Sequence, residues 1–259
     1  MTGVQTCALP IWLVSKKSFD SDKHLEPKTL VEGAYLALRN DIIRGVHGPS
    51  SKLKVEHLKD VYQVSGGTLR EALALLVADS LVYAEGQKGF FVSPMSIRDF
   101  KEITQLRVLL ELQALKQSIE NGDDKWEADV MASYHRLALA EKKLELEDIE
   151  QRNAQFSAWE ERNAEFHAAL VSACESRWLL QFIGILYHQS ERYRSLGIQY
   201  GTNLKRDLQA EHEALKDAAL ARNVPLCSDI LAEHINITYE LFEKLPEDVF
   251  SGKDVLETA

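Results

Sequence analysis

The chain has little that would hold a fold together covalently. Its three cysteines, Cys7, Cys174 and Cys227, are widely separated and form no Cys-x-x-Cys pair. That excludes a disulfide scaffold and a thiolate metal site, and it fits a reducing, cytoplasmic compartment. No apolar run reaches the roughly 20 residues that a membrane-crossing helix needs, so no membrane partner is expected. Beyond residue 96 there is almost no strand signal. An excess of positive charge is also missing: the formal net charge is −10, the wrong sign for a nucleic-acid binder. The deficit is unevenly spread. Residues 25–95 carry eight Lys/Arg and eight Asp/Glu, whereas residues 96–259 carry 19 against 30. The first region is therefore neutral and the second has a net charge of −11. A length of 259 residues accommodates both as separate domains.

Residues 1–24 stand apart from either domain. The opening Met1 to Trp12 lacks the basic start of a signal peptide and is similar to translated sequencing-adaptor read-through. This leader is set aside and is expected to be poorly ordered.

In residues 25–95, Leu30 to Gly45 reads as an amphipathic helix stopped by glycine, and Gly48-Pro49-Ser50-Ser51 follows as a turn. A short helix, Lys54 to Tyr62, leads into Val64-Ser65-Gly66-Gly67-Thr68-Leu69-Arg70-Glu71-Ala72-Leu73. Here small polar residues open straight into a helix with Leu69, Leu73, Leu76 and Val77 as its apolar stripe. Its first turns gather backbone N–H groups at Gly66 and Gly67, the hydroxyls of Ser65 and Thr68, and the Arg70 guanidinium. Such a set docks on phosphates and reaches base edges, although a plain surface helix can begin the same way. Leu81 to Ala84 and Gly89 to Val92 read as a hairpin around Glu85-Gly86-Gln87-Lys88, with Lys88 and Gly89 near its tip. Helix, helix, turn, helix, hairpin is the order of a winged helix-turn-helix, whose third helix enters the major groove.

Residues 96–246 read as helices throughout, leaving 247–259 as a tail. Ser96 with Asp99 caps a helix that runs to Asn121-Gly122, with Ile103, Leu106, Leu110 and Leu115 on its expected buried face. Further helices are expected over Asp124–Leu146, Ile149–Cys174, Trp178–Leu196, Leu204–Arg222 and Pro225–Leu245. The fold class is thus mainly α: a winged helix-turn-helix followed by an all-α antiparallel bundle, whose core is a usual place for a ligand or metal. Asn163 and His167 lie one turn apart on one helix face, and His212 and His234 each occupy another helix. Three imidazoles and an amide oxygen can hold a divalent ion, zinc or nickel by preference, with positions left open. The plainer alternative is three ordinary partly buried histidines.

These motifs carry a resemblance. Ile42-Ile43-Arg44-Gly45, Gly48-Pro49, Val64 to Leu73 and Lys88-Gly89-Phe90-Phe91-Val92 resemble the DNA-binding domain of the GntR regulators. Two departures stand out: the arginine that follows the serine in the family is Gly66 here, and a basic residue of the second helix is Glu56. Asn163-Ala164-Glu165-Phe166-His167, Glu211-His212, Glu233-His234 and the pair Arg107 and Glu111 resemble the helical FCD effector domain of the FadR subfamily. Within it, Asp124 to Val130 and the Leu69 to Leu73 helix are most similar to the carbon-starvation regulators.

The resemblance implies a homodimer on a near-palindromic double-stranded DNA operator, with a small carboxylate effector in the helical domain and repression as the commoner mode. Because Asn163 replaces an aspartate, a bound ion would keep its full charge and attract that carboxylate, with Arg107 and then Arg194 as bidentate partners. The alternative is a metal-dependent enzyme built on the bundle. Against it, no general base or nucleophile stands out, and Glu165, Glu211 and Glu233 are expected to point away from the histidines beside them.

Overall fold

The computed structural model describes residues 27–144, 149–199, 206–246 and 249–250. The leader, most of the tail and the expected helix start at Leu204 lie outside these residues.

Helix α1 (Leu30–Ile43) begins where Thr29 Oγ1 accepts the Glu32 N–H at 3.1 Å. Helix α2 (Val55–Val61) and helix α3 (Gly66–Ala78) follow, linked by a turn in which Gln63 takes φ 53°. Leu38 of α1 and Leu69, Ala72, Leu73 and Leu76 of α3 are fully buried against one another, so helical spacing of apolar residues builds this small core. Strands β2 (Val82–Glu85) and β3 (Gly89–Val92) form the hairpin, and Gly89 takes φ 101° at its turn, a conformation that favours glycine. A third strand, β1 (Lys52–Leu53), pairs antiparallel with β3 in the order β1-β3-β2, with Lys52 opposite Phe91 and Leu53 opposite Phe90. Two residues carry too little alternation to be read from sequence; the pairing comes from the edge that β3 offers.

The second domain consists of α4 (Ile97–Asn121), α5 (Asp124–Leu144), α6 (Ile149–Val171), α7 (Arg177–Gln199), α8 (Leu208–Leu220) and α9 (Val224–Phe242). Ser96 caps α4 by accepting the Asp99 N–H at 3.0 Å. Leu115, Trp126, Val130, Leu137, Phe166, Leu170, Leu215 and Leu231 form its main core. Phe100, Tyr193, Phe242 and Phe250 stack as a smaller aromatic cluster at one end.

The inner face of α4 differs from expectation. Ile103 and Leu115 are buried, but Leu106 is 48% exposed, because Arg107 and Glu111 take the inward positions. Placing those charges inside turns Leu106 outward, about 100° away around the helix.

Gly122 ends α4 where nothing larger fits. A Cβ there would lie 2.5 Å from Trp126 Cδ2 and 2.7 Å from the Ser118 carbonyl oxygen. Gly122→Ala is expected to destabilise the chain by about 1–3 kcal/mol through overpacking. Gly86→Ala, with nothing within 4 Å, should be close to neutral. Urea denaturation of the two variants checks this, and equal midpoints would contradict it.

Candidate metal and DNA-binding sites

The histidines converge. His167 of α6, His212 of α8 and His234 of α9 are all buried, and one nitrogen from each lies within 4.8 Å of the others. The His212 and His234 ring centroids are 4.7 Å apart, and His167 lies 5.0 Å from His234. Two of the rings are held by carboxylates. His212 Nδ1 meets Glu141 Oε1 of α5 at 2.6 Å, and His234 Nδ1 meets Glu211 Oε2 at 2.8 Å. Each contact occupies Nδ1 and leaves Nε2 toward the cluster, the arrangement that fixes the tautomer of ligating imidazoles. Glu211 therefore does reach the site, contrary to expectation: it points away from its neighbour His212 but toward His234 on the adjoining helix. Glu165 instead pairs with Arg136 and Arg162, and Glu233 is exposed.

The donor set fits a divalent ion. His212 Nε2 is buried with no hydrogen-bond partner, and so is Asn163 Oδ1. A buried acceptor left bare is costly, and a cation would satisfy both atoms. Burial, together with the neighbouring rings and arginines, lowers the His167 and His234 pKa values well below the usual range, so both are neutral ligands near pH 7.

The surroundings of Asn163 suit an amide. Its Nδ2 donates to the Tyr187 hydroxyl at 2.7 Å. An ionised aspartate would remove that donor. The network continues through Arg194, which grips Glu160 with Nε and Nη2, and through Ser190 Oγ, which accepts from Arg194 Nη1 at 2.6 Å and Arg107 Nη1 at 3.1 Å. Arg107 Nε pairs with Glu111 at 2.7 Å. Both guanidiniums lie over the Tyr187 ring, at 5.2 Å for Arg107 and 4.3 Å for Arg194. Arg107 and Arg194 thus sit beside the histidines, and each already has a buried carboxylate. Tyr187, Ser190, Glu160, Glu141 and Arg206, which donates to the His234 carbonyl, were missed because none sits in a motif of its own.

The residues expected to face DNA are exposed or half-buried. Ser65 caps α3 by accepting the Thr68 N–H at 3.0 Å, and the two hydroxyls lie 2.9 Å apart. The N-terminus of α3, with Gly66 and Gly67, therefore stays open. Arg70 folds back so that Nη1 donates to the Gly66 carbonyl at 3.3 Å. A Cβ on Gly66 would come within 3.4 Å of that nitrogen. Glu56 lies 3.8 Å from Arg70 Nη2 and accepts from Lys59 Nζ at 2.6 Å, which draws its carboxyl below the usual range. A carboxylate thus stands between the two cations of this face. Lys88 at the wing is similarly engaged by Glu85, beside Gly89.

A winged helix-turn-helix joined to a helical domain with a buried histidine cluster is the architecture of a two-domain DNA-binding regulator. Residues 30–92 match the model of bacterial regulatory proteins of the gntR family, and residues 102–237 match that of the FCD domain. The chain is 45% identical to an uncharacterized HTH-type transcriptional regulator, BphR, of Paraburkholderia xenovorans, over 80% of this chain and 83% of the relative. It is 35% identical to the HTH-type transcriptional repressor GlaR of Escherichia coli, over 78% and 90%. The solved structure of E. coli McbR/YncC shares the fold at TM-score 0.63 and 22% identity, covering 83% of this chain and 98% of that one. A putative GntR regulator from Rhodococcus sp. RHA1 matches at TM-score 0.64 and 18% identity, over 83% and 99%. The chain belongs to the GntR family of transcriptional regulators, with an FCD domain of the FadR-like subfamily. It is a regulator and not an enzyme, as its relatives' names attest.

Two outcomes follow from this geometry. In metal-free protein, the unfolded chain takes up protons on His167 and His234 below about pH 6.5, and the folded chain does not. Stability is therefore full above that pH and lost as pH falls, by roughly 1.4 kcal/mol per histidine per unit. Urea midpoints between pH 7.5 and 5.5 test this, and a flat profile would contradict it. On the DNA face, Glu56→Gln and Gly66→Arg should each raise affinity for unrelated duplex several-fold and steepen the salt dependence by roughly one charge. Fluorescence anisotropy across a salt series reads both changes.

Proposed function

We propose that the chain is a homodimeric, ligand-responsive repressor. Its two α3 helices would enter successive major grooves of a near-palindromic operator, and a small carboxylate bound beside a metal ion in the helical domain would release it. The cytoplasm is where such a protein meets DNA. The observation that carries the reading is the convergence of His167, His212 and His234 next to Asn163, Arg107 and Arg194, in a chain that opens with a winged helix.

Each part has a task. Ser65, Gly66, Gly67 and Thr68 present backbone and hydroxyl donors to phosphate, Arg70 reaches a base edge or phosphate, and Lys88 and Gly89 bring the wing onto the backbone. The three imidazoles and Asn163 Oδ1 would hold the ion; zinc or nickel suits them. The ion would supply positive charge that none of the four donor groups itself neutralises, with the Glu141 and Glu211 carboxylates lying behind two of the rings. Arg107 and Arg194 are already paired, so an incoming carboxylate answers the metal charge first and then exchanges with Glu111 or Glu160 for a guanidinium. Support for two copies comes from Leu106, Leu109, Trp178 and Phe182, large apolar side chains exposed on α4 and α7, elements that pack against each other.

Arg70→Ala is expected to weaken binding to a selected operator at least tenfold while leaving the fold intact, the worth of one bidentate contact. Titrating short mono- and dicarboxylates calorimetrically into zinc-loaded and chelator-stripped protein tests the effector half. The acid should bind at least tenfold tighter to the loaded form, and by linkage the metal should bind tighter with acid present. Equal acid affinities would leave the metal structural only.

A further inference from the structure

Helix α7 serves two masters with alternate residues. Facing the histidine cluster, Tyr187, Ser190 and Arg194 carry the network that begins at Asn163. The residues between them reach the DNA-binding domain. Arg39 of α1 places Nη2 on Glu191 and also 2.8 Å from His188 Nδ1. Gln189 Nε2 donates to the Asp79 carbonyl at 2.5 Å, at the end of α3, and Asp79 Oδ2 accepts from Tyr35 of α1 at 2.6 Å. Arg192 Nη2 donates to the Ser93 carbonyl at 2.7 Å, where the chain leaves β3 for α4. Thus α1, the end of α3 and the exit from the wing all dock on residues 188–192, within about one and a half turns of one helix.

This contact is buried and charged. Glu191, Arg192 and Tyr35 are each less than a tenth exposed or at that limit. Arg39 and His188 beside it hold the Glu191 carboxyl down to about 2 despite its burial. A buried pair of this kind is sensitive to geometry: removing one partner leaves the other uncompensated.

Resting on the metal-and-effector reading above, we propose that Arg39 is a positioning residue that couples the ligand site to the recognition helix. Tyr187, Ser190 and Arg194 feel whatever occupies the histidine cluster. Because they share a rigid helix with His188, Gln189, Glu191 and Arg192, their displacement rotates or slides the surface on which the DNA-binding domain is seated. Arg39 grips that surface at two points, so it converts a small movement of α7 into a defined change in the placement of α1 and α3. The coupling has a physical carrier, an element biased from both ends.

The test uses the full chain and zinc alone as the probe, with duplexes selected by the wild-type protein from a random-sequence pool. In wild type, zinc is expected to shift duplex affinity at least fivefold, the lower end of ordinary coupling. In Arg39→Ala and in the near-isosteric Glu191→Gln, that shift should fall below twofold. Zinc affinity by calorimetry and metal-free duplex affinity should stay within threefold of wild type, a separation that a merely structural role would not give. Spin-label distances between exposed Leu36 of α1 and Met131 of α5 provide a DNA-free readout: zinc should move the wild-type distribution and not that of Glu191→Gln. A full zinc response in both variants overturns the proposal while leaving the metal-and-effector reading intact. Zinc that binds wild type but moves neither its duplex affinity nor its label distance also overturns it. Failure of wild type to bind zinc at the histidines removes the reading beneath it.

Discussion

Keeping charge and imidazole inside a helical bundle is the constraint on which the second domain depends. Arg107, Glu111, Glu160, Arg194, His167, His212 and His234 are all less than a tenth exposed or at that limit. Groups of this kind are tolerated in a low-dielectric interior only when each finds a partner with good geometry. That requirement fixes the rotation of α4, α6, α7, α8 and α9 about their own axes more tightly than their leucines do, because apolar side chains accept many neighbours and a bidentate guanidinium accepts few. Leu106 is the visible consequence, turned outward so that Arg107 can face in.

The same constraint separates what could be read from the sequence from what could not. The recognition-helix segment, the hairpin and the run of long helices are local: periodicity, an N-cap serine and a glycine stop each act within a turn or two, so Ser65, Gly89 and Ser96 announce the elements they punctuate. The meeting of His167, His212 and His234 was legible because each sits at a spaced motif on its own helix. The shell around them was not. Glu141 lies 71 residues from His212, and Tyr187 lies 24 residues from Asn163. Nothing local marks a glutamate or tyrosine that is destined to hold a ring or an amide on another helix. Likewise, the Glu160 that neutralises Arg194 lies 34 residues away and arrives only with the tertiary packing, whereas Glu111 is one turn from Arg107.

The residue at 163 shows how the choice between two related side chains can be explained by its neighbours. A neutral amide removes charge from the cation site, which looks like a loss when the four donors are considered alone. With Tyr187 included, the amide is the side chain that can both donate to the phenol and keep a bare buried oxygen. Site chemistry here is a property of the network and not of the ligand list.

The carboxylate between Lys59 and Arg70 bears on how such a protein would locate its target. A face that supplies its own counter-charge releases few ions from random duplex, so each non-specific visit is brief. Short visits make sliding along the helix unproductive and favour repeated dissociation and re-encounter through solution. Search by this route is insensitive to obstacles bound nearby on the same DNA, but its speed depends on how many copies of the protein the cell keeps free.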